Sequence, residues 1–311
     1  MLPLVYHENY SCPFPEDHRF VMSKFRRLYA TLSERGYIET NQANLFSPGI
    51  AQLDELAIAH CPNYLQNLLM NEVCAKSWRR VGLPWSKGLV ARTMTAPNGT
   101  LLAGRLALKH GIACHLAGGT HHAHYDFGSG FCMINDLAYT ALTLLETREV
   151  THILIFDCDV HQGDGTASIL SGKQGVFTCS IHCEKNFPFR KAQSDLDIGL
   201  ELFMNDDDYL DIVDRTLERL LYQFEPDLVL YDAGVDVWQH DDLGKLNISW
   251  QGIEQRDRLV LETCLKRGTS VATVIGGGYD KDHDRLARRH AIVIEQAHAL
   301  MHPLTSLRRR L

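Results

Sequence analysis

The sequence lacks the features that direct a chain into a membrane or out of the cell. No apolar run approaches the roughly 18–20 residues of a membrane-spanning helix. The N-terminus has neither the basic segment nor the long apolar segment of a signal peptide. The nine cysteines include no CxxC pair, which favours reduced thiols. We therefore expect a cytoplasmic protein without a membrane partner.

An excess of positive charge is also missing. The chain has 31 Lys and Arg residues against 38 Asp and Glu residues, so its formal net charge is −7 over 311 residues. This balance argues against direct nucleic-acid binding, and we interpret the arginines at 308–310 as a solvated tail. No internal repeat or low-complexity linker divides the chain, so a single domain over residues 1–311 is predicted. The sequence indicates no particular oligomeric state.

Short apolar runs alternate with helical patterns along the chain. Strands buried on both faces are predicted at 111–116, 152–156, 175–181, 227–231 and 270–275. Helices are predicted at 20–35, 98–110 (after an Asn-Gly turn), 206–224, 250–267 and 284–300, and irregular stretches at 6–18, 76–97, 184–205 and 237–249. This alternation predicts an α/β fold with a mostly parallel central sheet flanked by helices. Ligands of such sheets bind beyond the carboxyl ends of the strands.

The segment after the predicted strand 152–156 concentrates side chains that bind metals. Asp157, Asp159 and His161 alternate along it and would share one side of an extended chain. Burying two carboxylates and an imidazole together is costly unless a positive charge neutralises them. A divalent metal bound by Asp159 and His161 would supply that charge. The alternative is an Asp-rich strand end that only caps the next helix.

Three further segments place polar side chains after other predicted strands. His121 and His122 follow 111–116, Asp236 follows 227–231, and Tyr279 follows three glycines after 270–275. Each has a simpler explanation: a surface histidine cluster, a solvated aspartate or a buried structural tyrosine. We expect the four segments to converge, because the carboxyl ends of parallel strands meet at one edge. Histidine suits proton transfer near neutral pH, and Asp236 could complete a metal site.

The combined pattern resembles the histone deacetylase superfamily, especially its class IV-like and bacterial deacetylases and the acetoin-utilisation proteins. The matching features are His121-His122, Gly130-Phe131-Cys132 with Asn135-Asp136, the motif 157–165, Asp236 after Asp232-Ala233-Gly234, and Gly276-Gly277-Gly278-Tyr279. Gln162 stands where many members have a second histidine. This glutamine-containing version of the motif resembles that of the class IV enzymes and their bacterial relatives. The resemblance implies an arginase-like α/β fold.

The resemblance also implies an active site with one catalytic metal ion, Zn²⁺ or Fe²⁺, held by Asp159, His161 and Asp236. Asp157 would orient His121, Asp164 would orient His122, and Tyr279 would donate its hydroxyl to the substrate carbonyl oxygen. A structural K⁺ ion would involve Asp157, Ser180 and the backbone carbonyls of Asp159, His161 and Ile181. An apolar substrate tunnel would be lined by Gly130, Phe131, Phe187, Gly277 and Gly278, with Leu243 at its rim and Phe189 as the alternative to Phe187.

The function implied by the resemblance is metal-dependent hydrolysis of a C–N amide bond other than a peptide bond. Water activated by the metal would attack, His122 would act as general base and then acid, and His121 would give electrostatic support. The expected substrate is an acylated lysine or a similar amine that loses an acetyl or longer acyl group. Acetylpolyamines or other small metabolites are the alternative substrates. A two-manganese ureohydrolase and an acyl-lysine-binding protein without turnover are the alternative functions.

Overall fold

Strands and helices alternate over the residues that the computed structural model describes, 1–39 and 41–301. The strands are β1 (Leu4–Val5), β2 (Leu45–Phe46), β3 (Ile112–His115), β4 (Ile153–Asp157), β5 (Val176–Cys183), β6 (Leu196–Leu200), β7 (Leu228–Asp232) and β8 (Ser270–Val274). The helices are α1 (Lys24–Glu34), α2 (Leu53–Leu56), α3 (Pro62–Met70), α4 (Ala75–Val81), α5 (Lys87–His110), α6 (Asp136–Glu146), α7 (Asp164–Leu170), α8 (Asp206–Phe224), α9 (Trp250–Arg267) and α10 (His283–Met301), with a short 3-10 helix at Glu8–Tyr10. The arginines at 308–310 lie outside the described residues.

The strands form a single sheet in the order β2-β1-β3-β8-β7-β4-β5-β6, and every neighbouring pair is parallel. Every residue of β3, β4 and β7 is buried, as expected for strands covered on both faces. The predicted α/β fold with a parallel central sheet is confirmed. The five predicted strands correspond to β3, β4, β5, β7 and β8 within two residues at each end. The edge strand β6 lies in a stretch predicted to be irregular, because its partly exposed residues form no apolar run.

The longer helices pack on the sheet in two groups. Helices α8, α9, α10 and α1 lie side by side in that order, while α5 packs on α6 and on β3 and β8. Capping side chains define where helices begin: Asn205 accepts the backbone N–H of Asp208 in α8, and Ser249 accepts that of Gly252 in α9. Among the described residues, no helix combines the length and the apolar character needed to cross a membrane.

The stretch 76–97, predicted to be irregular, is mostly helical. Helix α4 covers Ala75–Val81, and α5 begins at Lys87, where the Ser86 side chain accepts the N–H of Leu89. The Asn98-Gly99 pair, predicted as a turn, lies inside α5. Gly99 is required for packing, because a side chain there would collide with the side chains of Tyr10 and His115. The tertiary contact therefore outweighs the local turn preference of this pair.

A buried ion pair on α9 anchors the carboxyl ends of β4 and β7. Arg256 and Asp257 are fully buried, and the guanidinium of Arg256 lies 2.9 Å from Oδ1 of Asp257. The same guanidinium donates to the carbonyl oxygens of Cys158 at 3.3 Å and Gly234 at 2.7 Å. The hydroxyl of Tyr231 donates to Oδ1 of Asp257 at 2.6 Å. Helix α9 thus holds the loops that follow β4 and β7 in place.

Replacing Arg256 by Met should destabilise the protein, because the Asp257 carboxylate would stay buried without its partner. Breaking a buried ion pair in this way typically costs about 3–5 kcal/mol. Equilibrium unfolding in urea measures the loss. Arg258→Met is a matched control, since the Arg258 side chain is 55% exposed, and its effect should stay below about 0.5 kcal/mol. Equal stabilities of the two variants would contradict the role given to Arg256.

Candidate active site

The side chains singled out in the sequence meet beyond the carboxyl ends of β3, β8, β7 and β4, which are neighbours in the sheet. Asp157 and Asp232 end β4 and β7 and are register partners across the two strands. The side chains buried at this edge are His121, His122, Asp157, Asp159, His161, Asp164, Asp236 and Tyr279. The four motifs therefore converge, as their positions after predicted strands indicated.

Asp159, His161 and Asp236, here called the metal cluster, lie close together and are buried. One potential ligand atom of each lies within 4.8 Å of those of the other two. Nδ1 of His161 is 3.1 Å from Oδ1 of Asp159 and 3.1 Å from Oδ2 of Asp236. Burial alone would lower the pKa of His161, but the two carboxylates outweigh it and raise this pKa to about 10. The cluster therefore attracts positive charge strongly.

The metal cluster fits a divalent cation such as Zn²⁺ or Fe²⁺. Two carboxylates and one imidazole are a ligand set that these metals accept, with positions left for water or substrate. Oδ2 of Asp236 is buried, and no donor among the described residues reaches it in hydrogen-bonding geometry. A side chain at Gly277 would collide with the carboxylates of Asp159 and Asp236, so glycine keeps the space beside them open.

Each of the two adjacent histidines is held by its own carboxylate. Nδ1 of His121 lies 2.7 Å from Oδ2 of Asp157, and Nδ1 of His122 lies 2.6 Å from Oδ1 of Asp164. Donation from Nδ1–H leaves Nε2 of each ring available to the pocket. The second oxygen of Asp164 lies 3.2 Å from Nε2 of His124, a partner that was not expected from the sequence.

The two histidines are in different electrostatic environments. For His121, burial lowers the pKa, but the carboxylates of Asp157 and Asp159 raise it well above the ordinary value. For His122, burial and the neighbouring charge of His121 lower the pKa to about 4, despite the bond to Asp164. When only the protein's own charged groups are considered, without a metal ion, His122 is neutral near neutral pH and has a free lone pair, whereas His121 is positively charged.

The loop before these histidines is tied to the start of α6. The buried carboxylate of Asp136 accepts the backbone N–H groups of Gly119 at 3.1 Å and Thr120 at 2.7 Å. Nδ2 of Asn135 donates to the carbonyl oxygen of His121 at 3.3 Å. The Asn-Asp pair that contributes to the family resemblance thus fixes the backbone of the histidine loop.

A second buried ion pair positions Tyr279 through its backbone. The N–H of Tyr279 donates to Oδ2 of Asp241 at 2.8 Å, and its carbonyl oxygen accepts from Arg289 at 3.2 Å. Asp241 and Arg289 lie 2.9 Å apart, and both are buried. The Tyr279 ring is 5.9 Å from the ring of Phe131 and 6.5 Å from that of His161. The tyrosine therefore faces the metal cluster across the pocket.

Aromatic rings form a wall of the pocket. The ring of Phe187 lies 4.8 Å from that of His122. Phe189, the alternative for this position, is 98% exposed and lies away from the core. The backbone at Gly130 passes close to the rings of Phe187 and His122, and a side chain there would collide with His122. Phe131 follows with a left-handed φ of +66°. Phe187 is thus the residue of the pair that borders the site.

Polar contacts fix the loop that carries Phe187. The ammonium of Lys191 donates to the carbonyl oxygens of Asn186 and Pro188, at 2.8 Å each. The side chain of Asn186 accepts the N–H of Phe187 at 2.8 Å and donates to the carbonyl oxygen of Leu243 at 3.0 Å. Leu243, expected at the tunnel rim, is half-buried and touches this loop through its carbonyl group.

The residues expected to bind K⁺ lie on adjacent strands. Asp157 and Ser180 are register partners on β4 and β5, and Ile181 follows Ser180. Oγ of Ser180 lies 3.0 Å from Nδ1 of His182, and Oδ1 of Asp157 accepts the N–H of Asp159 at 3.0 Å. The two expected side-chain ligands thus already have protein partners.

Two buried cations near the site were not predicted from the sequence. Lys24 and Arg92 line a cavity of about 30 Å³ that also touches His121 and Tyr279. Nζ of Lys24 donates to the carbonyl oxygen of Gly276 at 3.1 Å, and burial lowers the pKa of Lys24 to about 8. A signal was present in the sequence, because Lys24 occupies the apolar stripe of α1 one turn before Leu28 and two before Leu32.

Asp232 was likewise not singled out as a site residue. It is fully buried, 3.8 Å from Nδ1 of His121, and neither carboxylate oxygen has a hydrogen-bond partner among the described residues. With His121 and Asp157 it forms a second acidic group beside the metal cluster. Since Asp157 already holds His121, the metal cluster remains the better cation site.

Comparison with known proteins gives one consistent result. A family model described as the histone deacetylase domain matches residues 18–296. An uncharacterized protein of Picosynechococcus sp. is 50% identical over 291 residues, 94% of this chain and 96% of its own length. Histone deacetylase 2 of Arabidopsis thaliana is 28% identical over 295 residues, 91% of this chain and 76% of its own. The crystal structure of an HDAC homolog complexed with SAHA matches with a TM-score of 0.79 and 25% identity, over 95% of this chain and 84% of that chain.

The chain therefore belongs to the histone deacetylase family, and the superfamily resemblance seen in the sequence is confirmed. The fold of the HDAC homolog agrees with the parallel sheet and flanking helices found here.

The metal cluster should bind one divalent ion per chain. Asp236→Asn removes a ligand charge. It should weaken Zn²⁺ binding by at least the roughly 10–100-fold that is typical of losing a residue that only supports a ligand, measured by competition with a chromophoric chelator. Zn²⁺ should also raise the melting temperature of the unaltered protein but not of the variant. Asp242→Asn, at an exposed neighbouring position, is the control. Two tightly bound ions per chain would contradict the single site and favour a ureohydrolase.

Proposed function

We propose that the protein is a metal-dependent amidohydrolase that removes an acetyl or longer acyl group from a lysine-like amine. Its membership of the histone deacetylase family supports deacetylase chemistry. The observation that carries the proposal is that His121 and His122 each have a carboxylate partner and lie beside the metal cluster. Zn²⁺ or Fe²⁺ held by the cluster would polarise the amide carbonyl and lower the pKa of bound water.

The chain's own residues would move the proton and stabilise charge. Nε2 of His122 would take a proton from the attacking water and return it to the leaving amine, while Asp164 holds the opposite nitrogen. His121, held by Asp157, would give electrostatic support to the negative charge that develops at the reacting centre. The hydroxyl of Tyr279 would donate to the carbonyl oxygen, and burial keeps the proton available by raising the pKa of this hydroxyl.

The buried cations would act on the acid product. Hydrolysis of an acyl amine releases a carboxylate, which is stable in a buried site only near positive charge. Lys24 and Arg92 line the cavity that adjoins His121 and Tyr279.

The substrate's acyl chain would lie along the wall formed by Phe131 and Phe187, next to Gly277 and Gly278. The SAHA complex of the HDAC homolog supports an acyl-lysine-like ligand for this site. We further propose that residues 1–311 form a single catalytic domain that works in the cytoplasm and binds a structural K⁺ through the Asp157 and Ser180 region.

Removing the proton carrier or the hydroxyl donor should reduce the turnover of an acetyl-lysine peptide. We expect a loss in kcat of about 10²–10⁴-fold for His122→Ala and about 10²–10³-fold for Tyr279→Phe, measured by acetate release. His110→Ala, at the far end of α5, should behave like the unaltered protein. Full activity of His122→Ala would overturn the proton-transfer role, and acetyl-lysine binding without turnover by the unaltered protein would favour the non-enzymatic alternative.

Lys191 should act as a positioning residue for the aromatic wall. Lys191→Met removes the two hydrogen bonds that Lys191 donates to the Phe187 loop. KM should rise and kcat/KM should fall about tenfold, since displaced contacts weaken substrate alignment. Lys173→Met, on an exposed site after α7, is the control. A melting temperature close to that of the unaltered protein would separate this effect from unfolding. Unchanged KM and kcat would show that the loop does not need the clamp.

A further inference from the structure

The entrance to the pocket is bordered by basic side chains on two sides. On the loop that carries Phe187, Lys185 and Arg190 are exposed. Lys245 is also exposed, and its ammonium donates to the carbonyl oxygen of Lys185 at 3.0 Å. Three positive groups therefore gather where the aromatic wall reaches the surface.

The opposite side is formed by the end of α4. The backbone N–H groups of Gly130 and Phe131 donate to the carbonyl oxygens of Arg80 at 3.2 Å and Val81 at 2.9 Å, so α4 adjoins the tunnel wall. Arg79 and Arg80 are exposed there, and the guanidinium of Arg80 lies over the ring of Phe127 at 4.4 Å. We call the five residues Lys185, Arg190, Lys245, Arg79 and Arg80 the basic rim.

The charges of the basic rim have no ion-pair partners in the part of the chain that the structure describes. Within residues 1–39 and 41–301, none of its five members forms an ion pair with a carboxylate. Glu184 lies 3.8 Å from Nε2 of His182, and Asp242 interacts electrostatically with Arg285. Three further exposed acids lie near α4 without forming an ion pair with the rim: Glu16, Asp17 and Asp126. Asp241 is buried against Arg289. Five basic side chains without ion-pair partners among the described residues make the basic rim more positive than the chain as a whole, whose net charge is −7.

The positive charge of the basic rim distinguishes between the substrate classes that the proposed function leaves open. The inference rests on that proposed function. An acylated polyamine is a cation, so the basic rim would repel it as it approaches. A peptide segment with Asp or Glu beside the acyl-lysine would be attracted and held in register. We infer that the substrate is an acyl-lysine in a polypeptide segment with acidic neighbours, which contact the basic rim while the acyl chain enters the tunnel.

The test compares four substrates of the unaltered holoenzyme: acetyl-lysine peptides of equal length with Asp, Ser or Lys flanks, and acetylspermidine. We expect kcat/KM to fall in the order Asp, Ser, Lys, with about tenfold between the first and last through KM, and acetylspermidine below the Asp peptide. The difference should shrink in 0.5 M NaCl, because salt screens exposed charges.

A charge-reversal pair locates the effect. The double variant K185E/R190E should invert the order of the Asp and Lys peptides. The control K109E/K173E makes the same change in net charge at exposed positions before β3 and after α7, and should keep the original order. Equal kcat/KM for the Asp and Lys peptides, a preference for acetylspermidine, or the same inversion in the control would overturn the inference while leaving deacylation intact. Absence of turnover with all four substrates would instead overturn the proposed function.

Discussion

The site depends on the cost of burying several carboxylates at one edge of a parallel sheet. Asp157 and Asp159 leave β4, Asp232 and Asp236 leave β7, and each is 2% exposed or less. In a low-dielectric interior such groups stay ionised only with positive partners or a bound cation, and otherwise take up a proton. The buried Arg256 on α9 donates to the backbone of the loops that follow β4 and β7. The imidazoles of His121 and His161 contact the carboxylates of Asp157 and Asp159. The metal cluster has two carboxylates and only one imidazole, so it keeps an excess of negative charge that a bound cation would neutralise.

The side chains proposed to react are oriented by partners on other elements. His122 is held by Asp164 at the start of α7, and Tyr279 by the ion pair of Asp241 with Arg289 on α10. Buried and hydrogen-bonded in this way, the side chains need little reorganisation when substrate binds. The wall residue Phe187 is different, because it lies on a partly exposed loop clamped by Lys191. In the proposed mechanism, specificity would therefore depend on the less rigid side of the pocket, and chemistry on the more rigid side.

Prediction from the sequence succeeded where the controlling interaction is local. The central strands were predictable because each is an apolar run covered on both faces. Helices α8 and α9 were predictable because a capping residue marks the start of each and a Pro or Gly follows its end. It failed at the edge strand β6, which has no apolar run, and at the Asn98-Gly99 pair, where close packing against Tyr10 requires a glycine within a helix. Residue type alone could not distinguish a turn from a packing contact.

By itself, the sequence determined the parallel sheet and the chemical residues at its strand ends, since apolar runs and the residues after them are properties of contiguous chain. The family resemblance added the expected pairing of histidines with carboxylates. Only the tertiary structure decided that Phe187 rather than Phe189 borders the site and that Lys24 on α1 lines its cavity. It also decided that Asp232 is buried beside His121 without a hydrogen-bond partner among the described residues. These contacts join residues distant along the chain, and their distances follow from how helices pack on the sheet, which no local pattern specifies.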